Sequence, residues 1–269
     1  GERGPLLPLT VENIGFVNEV FLEFTRQASE SYIKSFDLDR ADYRRNTRNN
    51  VDWEQAVPKE ASRLIPHLER AMNKFSEKIY PVDPLLFMAL MKRESNFDPL
   101  AVSSVGAAGL TQIMPQTAKD LGMTDIYMPA YFREALSIIQ LERQNRRHAV
   151  EALFQINETT TIAPAKRSRE FMQKSLQLKE NREKLFLRYK KDLVRRRSDD
   201  RLQPEKAIEY GYKYFATLLK KQNGDISLAL ASYNAGPHRV KEYKGIPPFE
   251  ETVLFRNRVL QFYRDFLNR

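Results

Sequence analysis

The residues best suited to chemistry lie close together in one stretch of the chain. Glu94 follows Lys92-Arg93 and precedes Ser95. A loop of small residues then runs through Ser103 and Gly106-Ala107-Ala108-Gly109 to Gln112-Ile113-Met114-Pro115. A helix C-terminus carries partial negative charge, and apolar surroundings disfavour ionisation. Both raise a glutamate pKa towards the range that a general acid needs near neutrality. Lys92 and Arg93 oppose this if their heads turn to the carboxylate. Small residues let backbone approach a ligand closely, and glycines accept positive φ. No Gly-Lys-Ser/Thr follows and no strand precedes, so the loop is not a phosphate cradle. Position alone favours a solvated helix-end glutamate; the residues downstream of Glu94 reverse that preference.

Such a site needs rigid elements behind it. Asp83-Pro84 is a helix-start signal, and Leu85 to Met91 is apolar all round, which predicts a helix buried on most faces. It is far too short to span a bilayer. Asp225 caps a second near-continuous apolar helix from Ile226 to Tyr233, stopped by Asn234-Ala235-Gly236-Pro237. Around these two rods the spacing predicts an amphipathic helix from Ala61 to Tyr80 and a short helix from Pro115 to Leu121, closed by Gly122. Further helices are expected over Pro204 to Leu219 and Glu251 to Leu267. No stretch alternates with period two, so the expected fold class is all-α. Residues 1–60 read as an N-terminal helical extension, with Val17, Val20, Phe21 and Phe24 on one face. Residues 61–269 read as a catalytic domain, interrupted by a helical hairpin over 123–201 whose second arm carries Phe171, Leu178, Leu185, Tyr189 and Leu193 as a stripe.

Three separated motifs carry a family resemblance. Glu94-Ser95, Ala101 to Ser103, Gly106 to Leu110, Gln112 to Pro115 and Thr117-Ala118 resemble the first half of a lytic transglycosylase domain of the soluble-transglycosylase (SLT) type. Ala231 to Pro237 resembles its Ala-Tyr-Asn-Ala-Gly signature, and Ile246 to Thr252 its closing Pro-Phe-x-Glu-Thr segment. The resemblance covers roughly residues 62–122 and 202–265. It implies a fold like goose-type lysozyme, and cleavage of the β-1,4 bond between N-acetylmuramic acid and N-acetylglucosamine in peptidoglycan strands. It also implies 1,6-anhydro ends, no cofactor, and a place in the periplasm or cell envelope of a bacterium. Carried over by residue, it implies Glu94 as acid and then base, with Ser103, Gln112, Met114, Tyr233 and Asn234 as substrate-binding residues. Tyr233 is expected to hydrogen-bond substrate or Glu94. Ser95, Gly109, Gly236 and Glu251 are expected as structural residues near the site.

Glycoside cleavage generally uses two carboxylates. The candidates for a second are Asp98, which reads as a turn former, and Glu250 or Glu251; nothing in the sequence places one opposite Glu94. The resemblance implies that none is needed, because the substrate's N-acetyl group supplies the stabilisation. Two departures stand out. Phe255 occupies a position where the family usually has Tyr, and Ala207-Ile208 replaces the usual Asn-Ile. Two other readings remain: a goose-type muramidase that uses water, and a non-catalytic peptidoglycan-binding scaffold of an envelope-spanning assembly.

Bulk composition narrows the partners. The chain has 269 residues, 42% hydrophobic and 29% charged, with no cysteine, so disulfides and thiolate metal sites are absent. Histidines 67, 148 and 238 have no metal-ligand spacing. No signal peptide or membrane-spanning run is visible; Gly1 to Pro8 reads as a processed or truncated start, which leaves export open. Of the net charge of +9, the segment Lys166 to Arg201 supplies a surplus of 8, from 14 Lys and Arg against 6 Asp and Glu. That segment is expected to touch a protein or an anionic surface, or simply to stay solvated. It shows no groove-reading motif, which argues against nucleic acid.

Overall fold

The computed structural model describes residues 53–157 and 159–268, and the expected extension over 1–60 lies almost entirely outside them. Among the described residues the secondary structure is helical, with two isolated β-bridges, Val102–Ala108 and Ala108–Ile113, in place of any strand. These residues divide into two compact units. One comprises 128–192, the other 53–127 together with 193–268.

The larger unit holds the site. It begins with α1 (Trp53–Ala56), a 3₁₀ turn (Lys59–Leu64) and α2 (Ile65–Lys74). The pattern that suggested a helix as far as Tyr80 runs on too far. Leu64 and Leu68 are buried, but the helix stops at Phe75, which leaves helical φ and ψ, and Ile79 is 72% exposed. Buried α3 (Pro84–Ser95) follows. Asp83 caps it by accepting from the Leu85 and Leu86 amides, and also accepts from the Tyr263 hydroxyl at 3.0 Å. Leu85 to Met91 are all 0–2% exposed, so the helix has no solvent face there, and each of the Leu, Phe and Met side chains contributes about 1.5–3 kcal/mol. Then come α4 (Pro115–Leu121), ended by Gly122 at φ +106°, and, in the smaller unit, α5 (Ala130–Leu153) and α6 (Ile162–Arg196), which begins in that unit. A 3₁₀ turn at Asp200–Leu202 leads back into α7 (Pro204–Lys221), α8 (Ile226–Ala235), α9 (Pro237–Glu242) and α10 (Glu250–Leu267).

The core of the larger unit joins α3 to α2, α7, α8 and α10. Phe87 meets Tyr212 edge-on at 5.4 Å, and Phe255, Val259, Leu260 and Tyr263 of α10 belong to the same cluster. Asp225 caps α8 through the Leu228 amide at 3.0 Å.

Within the smaller unit, α5 and α6 are joined by a buried carboxylate. Glu142 accepts from Arg146 of its own helix and from Arg182 of α6, each at 2.9 Å. Nearer the start of α5, Phe132 packs against Phe186 and Tyr189 of α6, with the Phe132 and Tyr189 rings 4.3 Å apart.

Candidate active site

Helix α3 delivers Glu94 one residue before its end. Asn96 then turns left-handed (φ 52°), and Phe97 (φ 64°) tucks back into the core. Ser95 fastens this corner to the loop beyond: its hydroxyl lies 3.1 Å from the Met91 carbonyl and 2.9 Å from that of Leu110. The Glu94 carboxyl is half-buried, and no hydrogen bond or ion pair to it occurs among the described residues. Burial in that setting raises its pKa from the ordinary 4.5 to about 8; the Arg93 guanidinium pulls against this, and the charge on Glu251 adds to it. Lys92 does not oppose it, because its ammonium sits 3.3 Å from Glu60 and over the Phe97 ring. Near neutral pH this setting favours the protonated carboxyl of Glu94.

The three candidates for a second carboxylate separate clearly. Asp98 accepts from the Leu100 amide at 2.9 Å, as a turn former does. Glu251 is solvent-exposed, yet its charge is felt at Glu94; Glu250 has no such influence. Phe255 is buried, with the Arg93 guanidinium 5.7 Å from its ring centre. Its ring fills core space and offers no hydroxyl to Glu94.

The tip of α8 forms the facing part of the site. Tyr233 is half-buried, and burial, followed by the neighbouring Glu94 charge, holds its phenol well above the ordinary value of 10. Its hydroxyl donates to the Thr111 carbonyl at 2.7 Å, so of the two partners expected, substrate or Glu94, Glu94 does not receive this proton. The physical reason is an otherwise unmatched carbonyl in the loop, which fixes the phenol proton and leaves the oxygen as an acceptor. The Tyr214 ring of α7 lies 5.2 Å from it. Asn234 accepts from the Thr252 hydroxyl at 2.9 Å, which ties the second motif to the third. Gly236, at φ 91°, ends α8 and opens α9.

The loop between α3 and α4 is ordered by its own polar groups. The Ser103 oxygen accepts from the Val105 and Ala107 amides at 3.3 and 3.0 Å, so its proton stays available for a ligand. Gln112 adopts φ 47° and commits its amide nitrogen to the Ala101 and Gly109 carbonyls at 3.0 and 2.8 Å. Only its amide oxygen is left for a ligand. Met114, half-exposed, stands at the N-cap of α4. Gly109 sits at φ +76° where a β-carbon would overlap the Arg201 carbonyl oxygen, so no other residue fits without moving backbone.

Sequence reasoning missed three contributors. Thr111 receives the Tyr233 hydroxyl and donates its own to Ala207 at 3.1 Å. Asp199 and Arg201 form a buried ion pair behind the loop. Arg201 had been counted at the end of a basic contact segment, but it is 1% exposed and belongs with the larger unit, so it cannot present charge to a partner. The one local signal was an Asp two residues before an Arg, beside Leu202. No group of three or more His, Asp or Glu side chains among the described residues could hold a metal ion. No described helix is long and apolar enough to cross a membrane.

A family model for the transglycosylase SLT domain matches residues 71–136 and 152–254, more than half of the chain. The chain belongs to the SLT transglycosylase domain family. Curated relatives of this SLT domain include a transglycosylase of Enterobacteria phage PRD1, 48% identical over 50 residues, which are 19% of this chain and 19% of that protein. Membrane-bound lytic murein transglycosylase F of Salmonella choleraesuis is 40% identical over 62 residues, 23% of this chain and 12% of the relative. Membrane-bound lytic murein transglycosylase C of Edwardsiella ictaluri is 40% identical over 62 residues, 20% and 17% respectively. The SLT chain thus matches less than a fifth of the length of each of these relatives. Among solved structures, an inactive mutant of the lytic transglycosylase Slt of Pseudomonas aeruginosa shares 21% identity. The match covers 77% of this chain and 25% of that one, with a TM-score of 0.40.

Proposed function

We propose that the protein is a lytic transglycosylase acting on the β-1,4 bond between N-acetylmuramic acid and N-acetylglucosamine of bacterial peptidoglycan, in the cell envelope. One observation carries this reading: Glu94, without a hydrogen-bond or ion-pair partner among the described residues, lies between the end of α3 and the Tyr233-Asn234 tip of α8, where burial raises its pKa. In the first step the Glu94 carboxyl gives its proton to the glycosidic oxygen as the C1–O bond breaks. The substrate's own N-acetyl group stabilises the positive charge that develops at C1. Glu94, now a carboxylate, takes the proton from the 6-hydroxyl of muramic acid, whose oxygen closes on C1. Atoms balance with no water consumed, and Glu94 returns to its starting state.

The remaining residues bind and orient. The Ser103 hydroxyl, the Gln112 amide oxygen and the Met114 side chain line the sugar side of the loop; Tyr233 accepts a hydrogen bond from substrate or from protonated Glu94. Asn234, through Thr252, keeps the closing motif in register. Ser95, Gly109 and Gly236 hold backbone. Residues 123–201 are proposed as an accessory hairpin inserted in the catalytic domain. The exposed cations of α6, among them Lys166, Lys174 and Lys184, are proposed as its contact with an anionic surface or a protein.

Digestion of purified peptidoglycan by the wild type and by Glu94→Gln, with mass analysis of the fragments, tests the reading. Muropeptides lighter by one water than reducing-end fragments, present with wild type and absent with the variant, are expected. Glu251 gives the water-using alternative its one candidate base, since its charge reaches Glu94; reducing ends in place of anhydro ends would establish that route. No cleavage by either form, with binding to glycan strands retained, would establish a scaffold.

A further inference from the structure

The loop carrying Ser103, Gln112 and Met114 is gripped from behind by a group that the proposed reaction does not use. Arg201 is 1% exposed. Its Nε and Nη2 donate to the two carboxylate oxygens of Asp199 at 2.9 and 2.8 Å. The remaining terminal nitrogen, Nη1, donates to the Gly106 carbonyl at 3.0 Å and the Ile113 carbonyl at 3.2 Å. One nitrogen therefore closes an eight-residue span of the loop, Gly106 to Ile113. The Arg201 carbonyl lies against Gly109 in the middle of that span, so backbone and side chain of one residue shape both its ends and its centre. Asp199 is anchored in turn, accepting from the Tyr127 amide and the Arg201 amide, each at 2.9 Å.

We infer that Arg201, oriented by Asp199, is a positioning residue for the sugar-binding loop. It fixes the distance from Gly106 to Ile113 and thereby the placing of Gln112 and Met114 against the glycan strand. The inference rests on the sugar-cleaving reading of this loop. A guanidinium suits the task because its planar fork meets a carboxylate bidentately and still has donors for two carbonyls; an ammonium on a flexible stem cannot hold both at once. A role confined to fold stability makes a different forecast. Buried ion pairs replaced as a pair by neutral residues often leave stability unchanged, so the loop's geometry and the global fold can be separated.

Three measurements decide it. In the wild type, hydrogen exchange at the Ala108 and Gln112 amides, which donate to Ile113 and Gly109, should be as slow as at the end of α3; exchange at open-loop rates overturns the inference whatever the enzyme does. In Asp199→Asn/Arg201→Met, which removes the pair while keeping an acceptor for Tyr127, those amides should exchange about tenfold faster, the factor expected when a charged hydrogen bond is lost. KM for soluble glycan strands should rise by a similar factor while kcat and the alkaline limb of the pH profile hold. Arg201→Lys should fall between the two. Loss of kcat in proportion to unfolded protein, with KM and loop exchange unchanged, assigns the pair to stability alone and overturns the inference. Should the wild type cleave nothing, the functional reading fails, and the exchange data still decide whether Arg201 fixes the loop.

Discussion

Asp199 and Glu94 are both acids enclosed by the larger unit, yet the fold treats them in opposite ways. Asp199 is sealed from solvent and surrounded by donors: a bidentate guanidinium and two backbone amides. Glu94 is half-buried and has no hydrogen-bond donor among the described residues, so burial favours its protonated state near neutrality. The fully satisfied acid serves geometry. The unsatisfied one, with no hydrogen bond among the described residues, keeps its proton where a ligand could take it.

Variants sharpen that contrast, beginning with the largest effect. Glu94→Gln should lower turnover about a hundred- to ten-thousand-fold, the span expected for loss of a general acid, with the circular dichroism spectrum unchanged. Asp199→Ala should do the reverse. It strands a buried Arg201 charge and costs about 3–5 kcal/mol in chemical denaturation, whatever it does to activity. Gly109→Ala forces a β-carbon against the Arg201 carbonyl at positive φ and should cost about 1–3 kcal/mol, read in the same way.

Proton linkage gives a finer test. Because folding raises the Glu94 pKa from 4.5 to about 8, the folded state binds the extra proton between those values and loses stability as pH rises through that window. Glu94→Gln should therefore match wild-type stability below pH 4.5 and exceed it above pH 8, by about 1–3 kcal/mol once solvent around a half-buried group is allowed for. Glu251→Gln removes a like charge and should move the alkaline limb of the pH–rate profile to lower pH, the smallest effect of the series. An unmoved limb would mean that Glu251 does not tune the acid.

How much of this was legible beforehand follows from the range of the interactions. Helices α3 and α8 could be read because each announces itself locally, with Asp83-Pro84 and Asp225 at the starts, unbroken apolar runs, and polar residues at the ends. The family motifs then singled out Glu94, Ser103, Gln112, Tyr233 and Asn234 together. The pairing of Arg201 with Gly106 and Ile113 could not be read, because it joins positions about ninety residues apart and its Arg lies in a run of Lys and Arg that looks solvated. The same holds for Tyr233: its type was evident, but the carbonyl of Thr111 that takes its proton has no side-chain signature. The helix projected to Tyr80 failed for a local reason, since periodic apolar residues continue past Phe75 while the backbone does not.

The hydrogen-bonded seam between residues 124–127 and 199–200 has a mechanical consequence. The Asp200 amide donates to the Asp125 carbonyl, the Thr124 and Asp125 amides converge on the Asp200 carboxylate, and the Tyr127 amide meets Asp199. The two chain ends from which residues 128–192 depart are thus stitched to each other before the chain leaves. The Asp199–Arg201 pair that holds the Gly106–Ile113 loop therefore has its anchorage inside the larger unit, at the same seam where the chain leaves and returns.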